Sequence, residues 1–351
     1  MTKLNGMRLL LRVTFVLVAL LGAACLVYFC LPRAAAQAPA PTTAPVELLS
    51  VGPLKPVSQE AEQQKQMLET LILACEQAEK SAAQGDVVMT LTNWNSEADY
   101  ESSMESLRRD RSEGRDVRMT ISREEYLGPR VESMRWAFSG ERARFEEKRS
   151  TPDHIIGAYD GTKTYVYRPA EKRGDIFWGK AYPIPAIIMP AMLTLSRDEI
   201  QSYSQLLKEH SVNIEGWQSI GGTECLKATV SFANHPDFPT QLWFSPEQGY
   251  RVKRTLSVSS DPNATGGYLV REIWRFAQFD SVWFPTEGAQ SYFGIHEGGV
   301  KVWSGSIYWK TDSFTPAPAE SLFGPQFPAG TRVFDNINRM PYTVGEGAGN
   351  P

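Results

Sequence analysis

The sequence predicts a mainly β protein of α+β class: a large curved antiparallel sheet of about ten or eleven strands, a half-barrel, wrapped around an amphipathic helix and carrying a loop-and-helix insertion. Three observations predict it. Apolar and polar residues alternate at period two over most of the chain, the pattern of strands with one buried face. Turn residues separate these runs at short intervals. One early segment carries instead the three- and four-residue spacing of a helix with a single apolar stripe.

The chain opens with Lys3, Arg8 and Arg12 ahead of an uncharged run from Val13 to Leu31. Positive charge followed by an apolar core is the layout of an export signal, and Ala34, Ala35 and Ala36 suit a signal peptidase, with cleavage after Ala36. The run also approaches the roughly 20 residues that cross a bilayer, so a retained signal-anchor, a transmembrane helix, is the alternative. Residues 1–36 are therefore signal peptide or anchor, and either places the remainder in the periplasm or cell envelope, free or tethered to the inner membrane. Residues 37–57 are a Pro- and Ala-rich linker, 58–338 the half-barrel domain, and 339–351 a flexible tail.

From Ser58 to Gln84, Ala61, Met67, Leu68, Leu71, Ile72, Cys75 and Ala78 recur at helical spacing, while Glu62, Lys65, Glu69, Glu76 and Glu79 occupy the other side. Ser58 is placed to cap its start and Gly85 its end. Strands follow. Val117, Met119 and Ile121 alternate with polar residues, as do Met134, Trp136 and Phe138, then Leu226, Ala228, Val230 and Phe232. Trp274 and Phe276 and the runs around Trp283, Tyr292, Trp303 and Trp309 continue the pattern. Ser139-Gly140, Asp160-Gly161, Gly221-Gly222, Pro246 with Gly249, Asn263 to Gly267 and Gly298-Gly299 mark the turns. Between Ala181 and His210, Pro183, Pro185 and Pro190 break an apolar stretch containing Ile187, Ile188, Met189 and Met192. Ser196 with Glu199 forms a capping box opening a short helix with Ile200, Tyr203 and Leu207. This insertion is a lid over a cavity, a membrane-touching element, or core closing the end of the sheet.

Composition removes several functions. Residues 1–36 hold four basic residues and no acids, so the remainder carries 32 Lys plus Arg against 40 Asp plus Glu, a charge of −8 that argues against nucleic acid as a partner. His154, His210, His235 and His296 are not paired at metal-ligand spacing, and no nucleophile elbow, phosphate loop or Cys-x-x-Cys is present. The sequence thus calls for no cofactor, no metal and no catalytic residue. Asp153-His154, His235-Pro236-Asp237 and the pairs Glu124-Glu125 and Glu146-Glu147 read as solvated loop or strand charge. Cys75 and Cys225 lie outside the export segment, where pairing is permitted; either one disulfide joins them or both are buried thiols.

The order of elements, with Tyr159-Asp160-Gly161-Thr162-Lys163-Thr164-Tyr165-Val166-Tyr167, resembles the LolA/LolB-like half-barrel superfamily of outer-membrane lipoprotein-sorting proteins, in an uncharacterised branch. Leu242-Trp243-Phe244-Ser245-Pro246 with Gly249-Tyr250-Arg251-Val252, and the closing run Phe327 to Asp335, are similar to its strand–turn–strand and terminal phrases. The resemblance spans about residues 58–338. It implies a non-enzymatic, extracytoplasmic protein whose apolar concave cavity takes acyl chains of lipids or lipoproteins. Trp136, Phe138, Trp274 and Phe276 are the candidate lining, with Ile187, Ile188, Met189 and Met192 as candidate lid. An envelope sensor using the same sheet to bind a protein partner is the alternative, and a hydrolase with a scattered site comes last.

Overall fold

The structure, a computed structural model, describes residues 47–115, 122–148, 154–179, 192–194, 200–233, 235–258, 267–295 and 301–345. Among them, sixteen strands form one open sheet. In chain order the elements are β1 (Lys55–Pro56), α1 (Ala61–Ser81), β2 (Gln84–Asn95), α2 (Glu97–Ser112), α3 (Arg123–Leu127), β3 (Arg130–Ser139), β4 (Arg142–Lys148), β5 (Ile155–Tyr159), β6 (Lys163–Arg168) and β7 (Arg173–Trp178). Then come β8 (Met192–Thr194), β9 (Ile200–Ser202), α4 (Tyr203–Glu209), β10 (Ser211–Ile220), β11 (Thr223–Phe232), β12 (His235–Ser245), β13 (Arg251–Val258), β14 (Tyr268–Phe279), β15 (Val282–Ile295), β16 (Lys301–Thr315), β17 (Arg332–Asp335) and β18 (Met340–Thr343).

The sheet runs β1-β10-β11-β12-β13-β14-β15-β16-β2-β3-β4-β5-β6-β7-β17-β18, with β8 and β9 as a separate pair. Two meanders, β2–β7 and β10–β16, are joined edge to edge where β16 pairs with β2. Most neighbours within a meander are sequential and antiparallel, joined by short turns, while β2 and β3 pair across the two helices between them. β17 pairs parallel to β7; β1 and β18 close the two edges.

Alternation decides what each face buries. Val87, Met89 and Leu91 of β2, Met134, Trp136 and Phe138 of β3, and Phe284, Trp309 and Phe314 pack into one cluster. A second cluster joins Leu71 and Cys75 of α1, Tyr203, Leu206 and Leu207 of α4, and Ile214, Leu226, Ala228, Val230, Leu242, Phe244 and Val252 of β10–β13. Leu71, Leu206, Leu207, Ile214, Leu242 and Phe244 are at most 1% exposed, and each such side chain contributes about 1.5–3 kcal/mol of burial. On the reverse face of β10–β13, Ile220, Cys225 and Trp243 are covered by Leu49 and Leu256. Close approach sets one sequence choice: a Cβ on Gly157 would stand 2.0 Å from the Phe145 ring, directly opposite it on β4.

Several elements differ from expectation. The strand count is higher than expected, since the two meanders alone hold thirteen strands and β1, β17 and β18 add to the ends. Residues 340–343, expected in the tail, form β18, since Val333 is buried and its hairpin partner must follow it into the sheet. Within the expected linker, Val51 bridges Ile220 and Lys55–Pro56 pairs with β10. α1 ends at Ser81 with Ala82 as its C-cap, and Gly85 belongs to β2, pressed against Phe314 and Phe138. The insertion helix is capped by Ser202 and Gln205, leaving Ile200 in β9. α2 escapes apolar periodicity because none of its residues is buried. Glu124 and Glu125 lie on α3, not a strand, and Glu125 completes a capping box with Ser122. Residues 1–46, the strand expected around Val117 to Ile121, Ser196 with Glu199, and the turns at Asn263 and Gly298 lie outside the described residues, as does the side chain of His235.

Candidate functional site

α1 lies against β10–β13 because its apolar stripe, Met67, Leu68, Leu71, Ile72 and Cys75, matches the apolar face of those strands. Its polar side is fastened to α4: Lys208 donates to Glu76 at 2.5 Å, and the Ser204 amide donates to Glu79 at 2.8 Å. Tyr203 meets Phe244 edge to face at 6.2 Å. Contact between helix and sheet is incomplete. Gln66, Met67, Thr70 and Leu71 face Trp217, Leu226 and Tyr250 across an open groove of about 220 Å³. Cys75, Glu79, Tyr203, Tyr250 and Arg251 line a second, much smaller space of about 10 Å³. Tyr250 borders both, and its φ of 60° is a backbone conformation that bulky residues avoid.

One buried guanidinium lines this space and a second is bonded to Tyr203, which lines it too. Arg251 is 3% exposed; its Nη2 donates to Ser81 Oγ at 3.0 Å, and its Nη1 has no acceptor among the described residues. Burial holds this group down to about 10, although Glu79 and Cys75 act in the other direction. Arg271, 7% exposed, donates from Nε to Gln290 Oε1 at 3.2 Å and hydrogen-bonds Tyr203. Register places Leu242, Thr255, Arg271, Gln290 and Ile307 in one row, so Arg271 and Gln290 sit between the two apolar clusters. The reverse face handles charge differently. Glu272, fully buried, accepts from Arg254 Nη1 at 2.6 Å and from the Leu49 amide at 2.7 Å.

The candidate lining residues separate. Trp136 (1% exposed) and Phe138 (3%) are packed into the cluster of β2–β4 and β14–β16 with Phe276 at its margin, where Lys253 approaches the Phe276 ring at 5.9 Å. Trp274 stands apart against Tyr308, at 5.5 Å. Packing rather than an open cavity thus occupies Trp136 and Phe138, because Phe145, Phe284 and Phe314 fill the bend of the sheet. Ile187, Ile188 and Met189 lie outside the described residues; Met192 is in β8, paired with Ser202. Cys75 and Cys225 are free, buried and in different clusters, and burial pushes both thiols up. His154 contacts Glu146 at 3.1 Å and His210 contacts Gln201 at 3.3 Å. No group of three or more metal-ligating side chains occurs among the described residues.

This arrangement can be set beside known proteins. The chain is similar to a LolA superfamily protein. That structure, from Nitrosomonas europaea, shares 7% identity over 74% of this chain and 97% of its own, with a TM-score of 0.40. A DUF1329 family protein from Desulfovibrio piger shares 10% identity over 74% of this chain and 97% of its own, at 0.44. The Pseudomonas aeruginosa MucA/MucB complex contains a chain similar over 71% of this one and all of its own, at 8% identity and 0.24. No protein-family model and no curated protein matches the chain.

Trp217, Tyr250, Arg251 and Arg271 had no site role in the sequence pattern, although Tyr250 and Arg251 stand in one of the phrases that carry the resemblance. The available signal was Arg251-Val252-Lys253-Arg254, a strand whose cations break the alternation; all four residues are buried. Period-two reading assigns such cations to solvent, and only the packing of α1 and the N-terminal segment on the two faces of the sheet removes that option.

Proposed function

We propose that the chain is an extracytoplasmic, non-enzymatic binding protein that takes an acyl chain, of a lipid or a lipoprotein, into the groove between α1 and β10–β11. The observation that carries this reading is the groove itself, where half-buried Met67 and Trp217 face open space above buried Leu71 and Leu226, beside a helix otherwise packed on the sheet. Such a site binds by removing apolar surface from water, at about 0.8 kcal/mol per buried methylene. Its volume, about 220 Å³, lies below the roughly 300–1,000 Å³ of drug-sized sites, which suits one chain or part of one. The export segment at Lys3 to Ala36 supports the location, and a bilayer nearby is a source of such chains.

The test is titration of the purified full chain with hexadecanol, a neutral single-chain probe, read by tryptophan fluorescence with Trp217→Phe as the signal control. Saturable binding that Met67→Asp abolishes is expected. Binding that Met67→Asp leaves untouched, or none, overturns the reading. A protein-interaction role draws support from one separate feature: Trp178 (69% exposed), Met340 (62%) and Phe334 (40%) near the β7–β17–β18 edge. A single envelope protein crosslinked there, and lost on Phe334→Asp, would favour that reading.

A further inference from the structure

Two buried guanidiniums on the α1 side of the sheet form no ion pair with the described residues, whereas Arg254 on the reverse face is matched by Glu272. Buried charge is normally paired, because desolvation is otherwise uncompensated. Glu79, already engaged by Ser204, offsets one of the two positive charges near the small space. The other has no carboxylate counterpart among the described residues. Arg251, whose Nη1 has no acceptor among the described residues, lines a space that also holds Tyr203, to which Arg271 is hydrogen-bonded.

We propose that the ligand of the groove is an anionic single-chain amphiphile, its acid group received by Arg251 and Arg271 with the Tyr203 hydroxyl, and its chain lying against Met67, Leu71 and Trp217. This rests on the acyl-binding reading and adds the head group to it. A planar guanidinium donates two parallel hydrogen bonds that match the two oxygens of a carboxylate, and such charge-assisted bonds are the strong ones. The small space, about one water in size, is too tight for a carboxylate as it stands. Tyr250 is the residue common to both spaces, and its side chain must turn aside for the head group to pass from the groove to Arg251.

The experiment compares palmitate with hexadecanol, probes of equal chain length, on the full-length protein. Palmitate is expected to bind about tenfold more tightly or better, as a charge-assisted bond to a buried partner provides. Arg251→Met and Arg271→Met are each expected to erase that preference, and Arg251→Lys, which keeps charge without the fork, to restore only part of it. Equal affinity for both probes in the wild type overturns the head-group site and leaves the groove reading standing. No binding of either removes both. A preference that survives Arg251→Met and Arg271→Met overturns the assignment to these arginines. Circular dichroism establishes that each variant is folded, and if Arg271→Met is not, Arg251→Met alone decides.

Discussion

Replacing Arg251 by methionine should stabilise the protein. The wild-type guanidinium is 3% exposed, with one hydrogen bond to Ser81 and an Nη1 that has no acceptor among the described residues. Burial lowers its pKa from the ordinary range to about 10, which at ~1.4 kcal/mol per pH unit is a penalty of about 3 kcal/mol on the charged form. Methionine removes that penalty and keeps apolar bulk beside Val252. It forfeits the bond to Ser81, about 1 kcal/mol, so the net gain is about 1–2 kcal/mol. For a domain of this size the melting midpoint should rise by about 2–4 °C. Urea and thermal unfolding at pH 7, followed by circular dichroism, measure it. The pH dependence carries the same sign. Above about pH 10 the native state releases this proton while the unfolded chain still holds it. The unfolded state then binds more protons, so wild-type stability rises with pH and its deficit against Arg251→Met narrows. A variant less stable than wild type by 1 kcal/mol or more would mean that the guanidinium is paired, and the charge reasoning would fall.

Other outcomes follow from the same geometry. Glu272→Ala leaves Arg254 buried without its carboxylate and the Leu49 amide without its acceptor, and should cost about 3–5 kcal/mol in urea unfolding. Gly157→Val drives a side chain into the Phe145 ring and should cost about 1–3 kcal/mol, and Phe145→Ala in the same chain should recover part of that loss. Burial alone would raise the Asp160 carboxyl, but hydrogen bonds from the Lys163 amide, the Tyr165 hydroxyl and the Thr162 amide outweigh it and hold it below its ordinary value. Its stabilisation is therefore present above the ordinary carboxylate range and lost as pH falls through the lowered value, so Asp160→Asn should flatten the acid limb of a stability–pH profile.

The strands around Trp136, Ala228 and Trp309 were legible because alternation reports one buried face, and the hairpins at Gly140, Gly161 and Gly221 because those glycines adopt positive φ. α1 was legible for the same reason in its own period. α2 was not, since a helix that buries nothing has no stripe to read. The site was mostly illegible. Large aromatics such as Trp136 and Phe138 draw attention as lining, yet their size makes them the residues that fill a bend in the sheet. The groove arises instead from where α1 fits imperfectly against Trp217 and Leu226, a tertiary mismatch between segments about 150 residues apart. Burial of Arg251 and Arg271 depends likewise on elements distant in sequence.

The most direct measurement is photocrosslinking of the full-length protein with a hexadecanol carrying a diazirine along its chain, followed by peptide mapping. Adducts are expected on the α1 peptide containing Met67 and Leu71 and on the peptides containing Trp217 and Leu226. Adducts confined to the peptide containing Trp136 and Phe138, or none that unlabelled hexadecanol competes away, would contradict that expectation.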